Sequence, residues 1–390
     1  MKHILQFFFL YILLELILYN YIKKISKINK WILIKKNFIH LFNKKKFYIF
    51  KKNNYHYDLG WEKKPKSFNY DTNNKKKIFY SIDKKGYRTS RFSNKENLIA
   101  TFGDSYTFCR QVGNLHTWQE FFSIEKRKFV SNYGVGNYGL DQVFLKYKKT
   151  KINKNVKFIV FGFVPETICR IQSCWKYYLE FGNLHGFKPF CSIKNNKLYF
   201  SKNLLKPKNN FNDLEKIILK SKSLDRFYKI KYKQHVFEYP FVISFLKNFL
   251  FNISIFIIFI KSSLKNISFE ESTFPLIMKN NIKMSHKFYR EKYSTNLLAK
   301  LIKNISDNSK KNTKCFFVIF PQLFDLKLQS RIYYQNFFKK LKNNFNIIDL
   351  TNDFLFHKNY EKLFINDKYG GHLNKKGNLL VANILKNLIK

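Results

Sequence analysis

LIATFGDSYTF, residues 98–108, is the stretch that decides the fold. Leu98 to Phe102 form an apolar, partly β-branched run of strand length, Gly103 and Asp104 permit a tight turn, and a helix can start directly beyond it. The unit then repeats. TWQEFFSIEKRK (117–128) reads as a helix, FVSNYGV (129–135) as a second strand, YGLDQVFLKYKK (138–149) as a helix and FIVFGFV (158–164) as a third strand. Short strands alternating with longer amphipathic stretches predict a parallel α/β sheet. After about 150 residues without that alternation, FFVIFP (316–321) and NIIDLT (346–351) resume it, and an amphipathic helix runs from Asn374 to the end. The break reads as an insertion between strands three and four, over 175–312.

In open parallel sheets the loops at the carboxyl ends of the strands converge on one edge and carry the chemistry. Ser105 ends the first strand, NYGVGNYG the second, Pro165 to Thr167 follow the third, and His372 opens the last helix. A serine attacks a carbonyl when a base takes its proton and fixed donors meet the oxyanion. The GDS turn leaves the Ser105 hydroxyl exposed near helical N–H groups; a plain N-cap serine is the alternative. GGHLNKKGN (370–378) places His372 in a glycine-lined loop just before a helix capped by Asn374, where it can face Ser105.

Taken in order, GDSYTF (103–108), SNYGVGNYGLDQ (131–142), GFVPETICR (162–170) and GGHLNKKG (370–377) resemble the first, second, third and fifth blocks of the SGNH, or GDSL-type, hydrolase superfamily. The preceding YHYDLGWEKKP (55–65) and SIDKKGYRTSRF (81–92) look like the lead-in of its membrane-attached members, some linked to surface carbohydrate. The resemblance implies a three-layer α/β/α sandwich with a mostly parallel sheet over 98–390, and ester chemistry with Ser105 as nucleophile and His372 as base. It also implies an oxyanion hole from Ser105, the second block and the third block, where Asn137 stands for the usual glycine and Thr167 for the usual asparagine. Asparagine tolerates positive φ, so its backbone donor is retained. The acid that normally lies three residues before the histidine is here Tyr369, and Asp367, five before it, is the candidate; a backbone carbonyl orienting a Ser–His dyad is the competing arrangement. No metal or organic cofactor is implied.

Lesser candidates surround this set. Cys109, one turn after Ser105, reads as a packing residue. Arg170, Trp175 and Lys176 read as surface-loop residues or as the lining of a substrate mouth, and Tyr177, Phe181 and Phe187 as sugar-stacking faces or insertion core. Five cysteines without CxxC or CxxxH spacing point to neither zinc nor a redox pair.

Ile4 to Ile22 is a 19-residue apolar helix-former, long enough to cross a bilayer and followed by no small-residue cleavage site, which reads as an uncleaved anchor. Glu15 interrupts it at a cost of roughly 2.5–3.5 kcal/mol on insertion scales. Lysines from Lys23 to Lys46 interleaved with WILI, FIHLF and FYIF make an interfacial basic stretch, so residues 1–50 form the anchor and interfacial basic segment and 51–97 the lead-in. The positive-inside rule places the body on the cytoplasmic side, with a weak vote in so lysine-rich a chain. Tyr239 to Ile260, broken by Pro240, Lys247 and Asn252, reads as a buried or membrane-apposed helix rather than a second span.

The formal charge of +48 does not indicate nucleic acid: of 73 basic residues only 8 are arginine, the side chain whose planar fork reads phosphate and guanine. The expected partners are membrane lipid, through the N-terminal helix, and an ester-bearing substrate, foremost an acetylated carbohydrate. The leading function is a membrane-anchored serine esterase; a carbohydrate O-acyltransferase or lipid esterase on the same site, or a non-catalytic assembly protein on a hydrolase scaffold, are the alternatives.

Overall fold

The computed structural model describes residues 2–28, 34–35, 42–73, 76–180, 184–309, 313–328, 333–365 and 371–389. They fall into two compact units: residues 51–172, 189–203 and 278–390 in one, and 1–50, 173–188 and 204–277 in the other.

The first unit is built on five strands, labelled along the chain β1 (Asn97–Gly103), β2 (Phe129–Asn132), β3 (Phe158–Phe163), β4 (Lys314–Ile319) and β5 (Ile347–Asp349). All pairings are parallel and the order is β2-β1-β3-β4-β5. The chain therefore reverses its direction of winding between β1 and β3, which opens a crevice at their carboxyl ends. β1 to β4 are buried on both faces, as a parallel sheet requires, and the edge strand β5 is partly buried. Ile99, Val130, Val160 and Val318 pack with Trp118 and Phe122 of helix Trp118–Lys126 and with Val381 and Leu385 of helix Lys375–Leu388. On the opposite face Phe102, Phe161 and Phe317 stack in a row with centroids 6.0 and 5.7 Å apart. Tyr147, from helix Leu140–Lys149, meets Phe102 and Phe161 edge-on at 5.4 and 5.2 Å. Helices thus cover both faces of a mixed α/β fold.

Helix Lys292–Asp307 buries Leu297, Leu298, Leu301, Ile302 and Ile305 completely and contacts helix Leu140–Lys149. It falls inside the expected 175–312 insertion yet belongs to the sheet-bearing unit. The lead-in forms an antiparallel hairpin, Ser67–Asn73 with Lys76–Ile82, whose Tyr80 packs edge-on against Phe108 at 5.0 Å.

The second unit contains helix Lys2–Ile28, of which Lys2–Ile25 is long and apolar enough to cross a membrane. In the 239–260 run, helices Phe241–Leu246 and Phe249–Leu264 replace one continuous segment. Tyr21, Ile22 and Ile25 cluster with Phe237, Ile255, Phe269 and Ile277.

Candidate active site

Two glycines bring the ends of β1 and β3 together. Gly103 and Gly162 are register partners, and a Cβ on Gly103 would lie 2.0 Å from Thr107 Oγ1 and 2.1 Å from the Gly162 carbonyl oxygen. Thr107 Oγ1 donates to that same carbonyl at 3.0 Å. The chain can then turn at once into the four-residue helix Ser105–Phe108, whose N-cap Asp104 accepts the Tyr106 N–H at 2.9 Å. The other carboxylate oxygen of Asp104 accepts the Val164 N–H at 2.9 Å, tying the serine turn to the loop after β3. Arg170 Nη1 lies 3.5 Å from it, and Arg170 Nη2 pairs with Glu166 at 2.7 Å. Burial pushes the Asp104 carboxyl above the ordinary carboxylate value, while Arg170 opposes that shift.

The histidine arrives from the far end of the chain on an equally defined loop. Gly371 adopts φ +73°, a conformation that favours glycine. The Ile365 N–H donates to the His372 carbonyl at 2.7 Å, and Asn374 caps the last helix by accepting from Lys376 N and Gly377 N. Tyr106 Oη donates to the Gly371 carbonyl at 3.0 Å, and its ring lies 5.3 Å from the imidazole. With these supports His372 Nε2 stands 3.0 Å from Ser105 Oγ, across 267 residues of sequence. Both residues are buried. Burial holds His372 well below the ordinary histidine pKa, and Arg110 and Arg170 push the same way, so the imidazole is neutral at pH 7 and can take a proton. Its Nδ1 is buried and has no hydrogen-bond partner among the described residues. Asp367, Tyr369 and Gly370 lie outside those residues.

Of the expected oxyanion donors, Asn137 has φ +67°, in the left-handed region that a glycine would otherwise supply. Trp61 Nε1 donates to the adjacent Gly136 carbonyl at 3.0 Å, which holds this loop from the lead-in side. Thr167 is fully buried, and its hydroxyl oxygen accepts the Leu140 N–H at 2.8 Å. It pins the start of helix Leu140–Lys149 to the loop after β3.

Other expectations change. Arg170, Trp175 and Lys176 are buried rather than surface-loop residues. Arg170 is held by Glu166 and the Tyr138 carbonyl, and Lys176 pairs with Glu180 at 2.7 Å. Tyr177 and Phe187 are core residues of the second unit, each 1% exposed, and offer no face to a sugar; Phe181 lies outside the described residues. Cys109 packs as expected: it is buried, and burial pushes its thiol up to about 12. All five cysteines are buried and none is joined in a disulfide, and no group of metal-binding side chains occurs among the described residues.

Arg88 was not singled out by the sequence, although it sits in the quoted lead-in. Its fully buried guanidinium donates to the carbonyls of Phe108 and Cys109 at 2.7 and 2.8 Å, to that of Val112, and to Asn114 Oδ1 at 3.0 Å. The segment just beyond the serine helix is thereby clamped from outside the sheet. Its signal was only an arginine among lysines.

No family model and no curated protein matches this sequence. Among solved structures, a protein assigned to the lipolytic G-D-S-L family from Desulfitobacterium hafniense DCB-2 aligns at 9% identity and TM-score 0.32, over 75% of this chain and 100% of its own. A second structure aligns at 13% identity and TM-score 0.35, over 75% of this chain and 96% of its own. Both alignments are too loose to pair residues, and the site stands on its own geometry.

Proposed function

We propose that this chain is a membrane-anchored serine esterase of the SGNH, or GDSL, type, acting on O-acyl groups, foremost acetyl esters of a carbohydrate. The observation that carries the reading is the 3.0 Å approach of the Ser105 hydroxyl to a neutral, buried His372 at the crevice between β1 and β3. Ser105 Oγ attacks the ester carbonyl carbon while its proton passes to His372 Nε2. The resulting oxyanion takes hydrogen bonds from the backbone N–H groups of Ser105 and Asn137. The Thr167 hydroxyl, whose oxygen accepts the Leu140 N–H, is assigned as the third donor through its own O–H. As the tetrahedral intermediate collapses, the C–O bond to the alcohol breaks and the departing oxygen takes the proton from His372. Water then attacks the acyl-enzyme by the same route, releasing the carboxylic acid and restoring Ser105. We assign Asp367 as the acceptor of the Nδ1–H, fixing the tautomer and stabilising the imidazolium, with a backbone carbonyl orienting a Ser–His dyad as the alternative.

A carbohydrate O-acyltransferase differs only in the group that deacylates, a sugar hydroxyl in place of water. The lipid-esterase alternative draws support from the exposed apolar helix faces of the second unit. Hydrolysis of an aryl acetate and of a lysophospholipid, measured side by side for the native chain and Ser105→Ala, tests the proposal. Turnover of the acetate that is abolished by the substitution is expected. A clear preference for the lipid would replace the carbohydrate assignment, and turnover unaffected by the substitution would overturn the serine mechanism.

A further inference from the structure

We propose that Phe241–Leu264 is a second membrane-embedded element, seated against the N-terminal helix and covered on its outer face by lipid acyl chains. The proposal rests on reading Lys2–Ile25 as a membrane anchor. Glu15 lies ten residues before Ile25, about 15 Å along the axis and so about halfway through a hydrocarbon core of about 30 Å. Its buried carboxylate accepts the N–H of Phe241 at 2.7 Å and that of Val242 at 3.0 Å. Those two N–H groups open helix Phe241–Leu246 and have no intrahelical acceptor. In hydrocarbon an unpaired carboxylate and unpaired backbone donors are each costly, and this contact satisfies both. The interruption of the anchor and the break at Pro240 thus answer one another.

The returning helix follows the anchor toward its lysine end. Tyr21 meets Phe256 and Phe259 edge-on at 5.0 and 5.6 Å, and Lys24 Nζ lies 5.6 Å from the centre of the Phe259 ring. No charged residue occurs between Asn248 and Ile260. The outer face presents Leu250 and Leu264, 79% and 82% exposed, with Ile257 and Ile260 between them. Leu14 and Ile17 of the anchor are exposed and apolar in the same way, and the acyl chains that the anchor reading sets against them are the occupant proposed for this face. Sixteen residues reach only about 24 Å, too short to cross, so the segment dips into the bilayer and returns at Lys261 on the side of Lys23 and Lys24.

The test places an environment-sensitive NBD label on the full-length chain, reconstituted in phosphatidylcholine–phosphatidylglycerol vesicles. Single introduced cysteines at L250C and I257C report the proposed face, I12C the anchor and N196C the aqueous reference, while the native cysteines are buried. Labels at 250 and 257 should match that at 12, quenched by doxyl lipids and shielded from iodide. Adding E15A to L250C should raise iodide quenching severalfold; an unchanged signal would contradict the seating role of Glu15. Iodide quenching at 250 and 257 with position 12 still embedded would overturn the proposal and leave the anchor standing. Shielding from both quenchers, with crosslinking into dimers, would make a second copy the occupant and equally overturn it. An iodide-accessible label at 12 would remove the anchor reading and this proposal together.

Discussion

Replacing Arg88 with methionine removes one cation that serves four acceptors on the segment following the serine helix. The carbonyls of Phe108, Cys109 and Val112 would lose their donor in a buried place. An orphaned buried acceptor costs about 1–3 kcal/mol, so three set a ceiling on the order of 3–9 kcal/mol. Two effects lower it. Burial already disfavours the charged guanidinium, whose pKa is pulled down to about 10, so removing the charge returns part of that penalty. The methionine stem also keeps some packing beside the Tyr80 and Phe108 rings, which lie 5.2 and 4.9 Å from the guanidinium carbon. A net loss of about 3 kcal/mol remains, which for a unit of this size lowers the melting temperature by about 6–12 °C. Thermal unfolding of the full chain in detergent micelles measures it. Arg88→Lys should also melt well below the native chain, since one ammonium cannot reproduce the planar fork. Melting of Arg88→Met within about 2 °C of native would refute the view that the lead-in clamps the site.

Three further outcomes follow from the geometry. Because His372 is held below its ordinary value, the acid limb of kcat/KM should fall below pH 6.5. In stability terms the unfolded chain binds the extra proton first, so this contribution is full above about pH 6.5 and declines as pH drops toward the folded value; a limb above pH 7 would contradict the buried, neutral imidazole. Asp367→Asn should lower kcat by about 10²–10⁴-fold if Asp367 orients the imidazole, and full activity would favour a backbone carbonyl in that place. Gly103→Ala drives a Cβ into the Gly162 carbonyl and should cost at least about 3 kcal/mol, visible as loss of soluble folded protein; native-like melting would contradict the tight β1–β3 contact.

All five strands and three flanking helices, Trp118–Lys126, Leu140–Lys149 and Lys375–Leu388, were legible because apolar periodicity and turn residues mark them locally. β1 through β5 fall within the expected runs or a few residues of them. Ser105 and His372 were legible because a strand-ending serine and a glycine-lined histidine each carry a local pattern, and the parallel topology gathers strand ends on one edge. Contacts between polar groups distant in sequence left no such mark. Arg88 reaching the Phe108 and Cys109 carbonyls, Asp104 holding Val164, and Glu15 meeting Phe241 all depend on the folded chain. Charge also misled: Arg170 and Lys176 looked like surface residues, yet Glu166 and Glu180 at i,i+4 spacing neutralise them inside. Helix Lys292–Asp307 was assigned to the insertion because nothing in its own amphipathic pattern says which partner its apolar stripe will cover.

The central claim is that His372 activates Ser105 for attack on an acyl carbon. Incubating the folded, full-length protein with a fluorophosphonate probe and mapping the adduct by mass spectrometry tests it most directly. The account predicts one phosphonylated residue, Ser105, with labelling lost in Ser105→Ala and slowed by orders of magnitude in His372→Ala. An unlabelled native protein, or labelling that persists without either side chain, would contradict it.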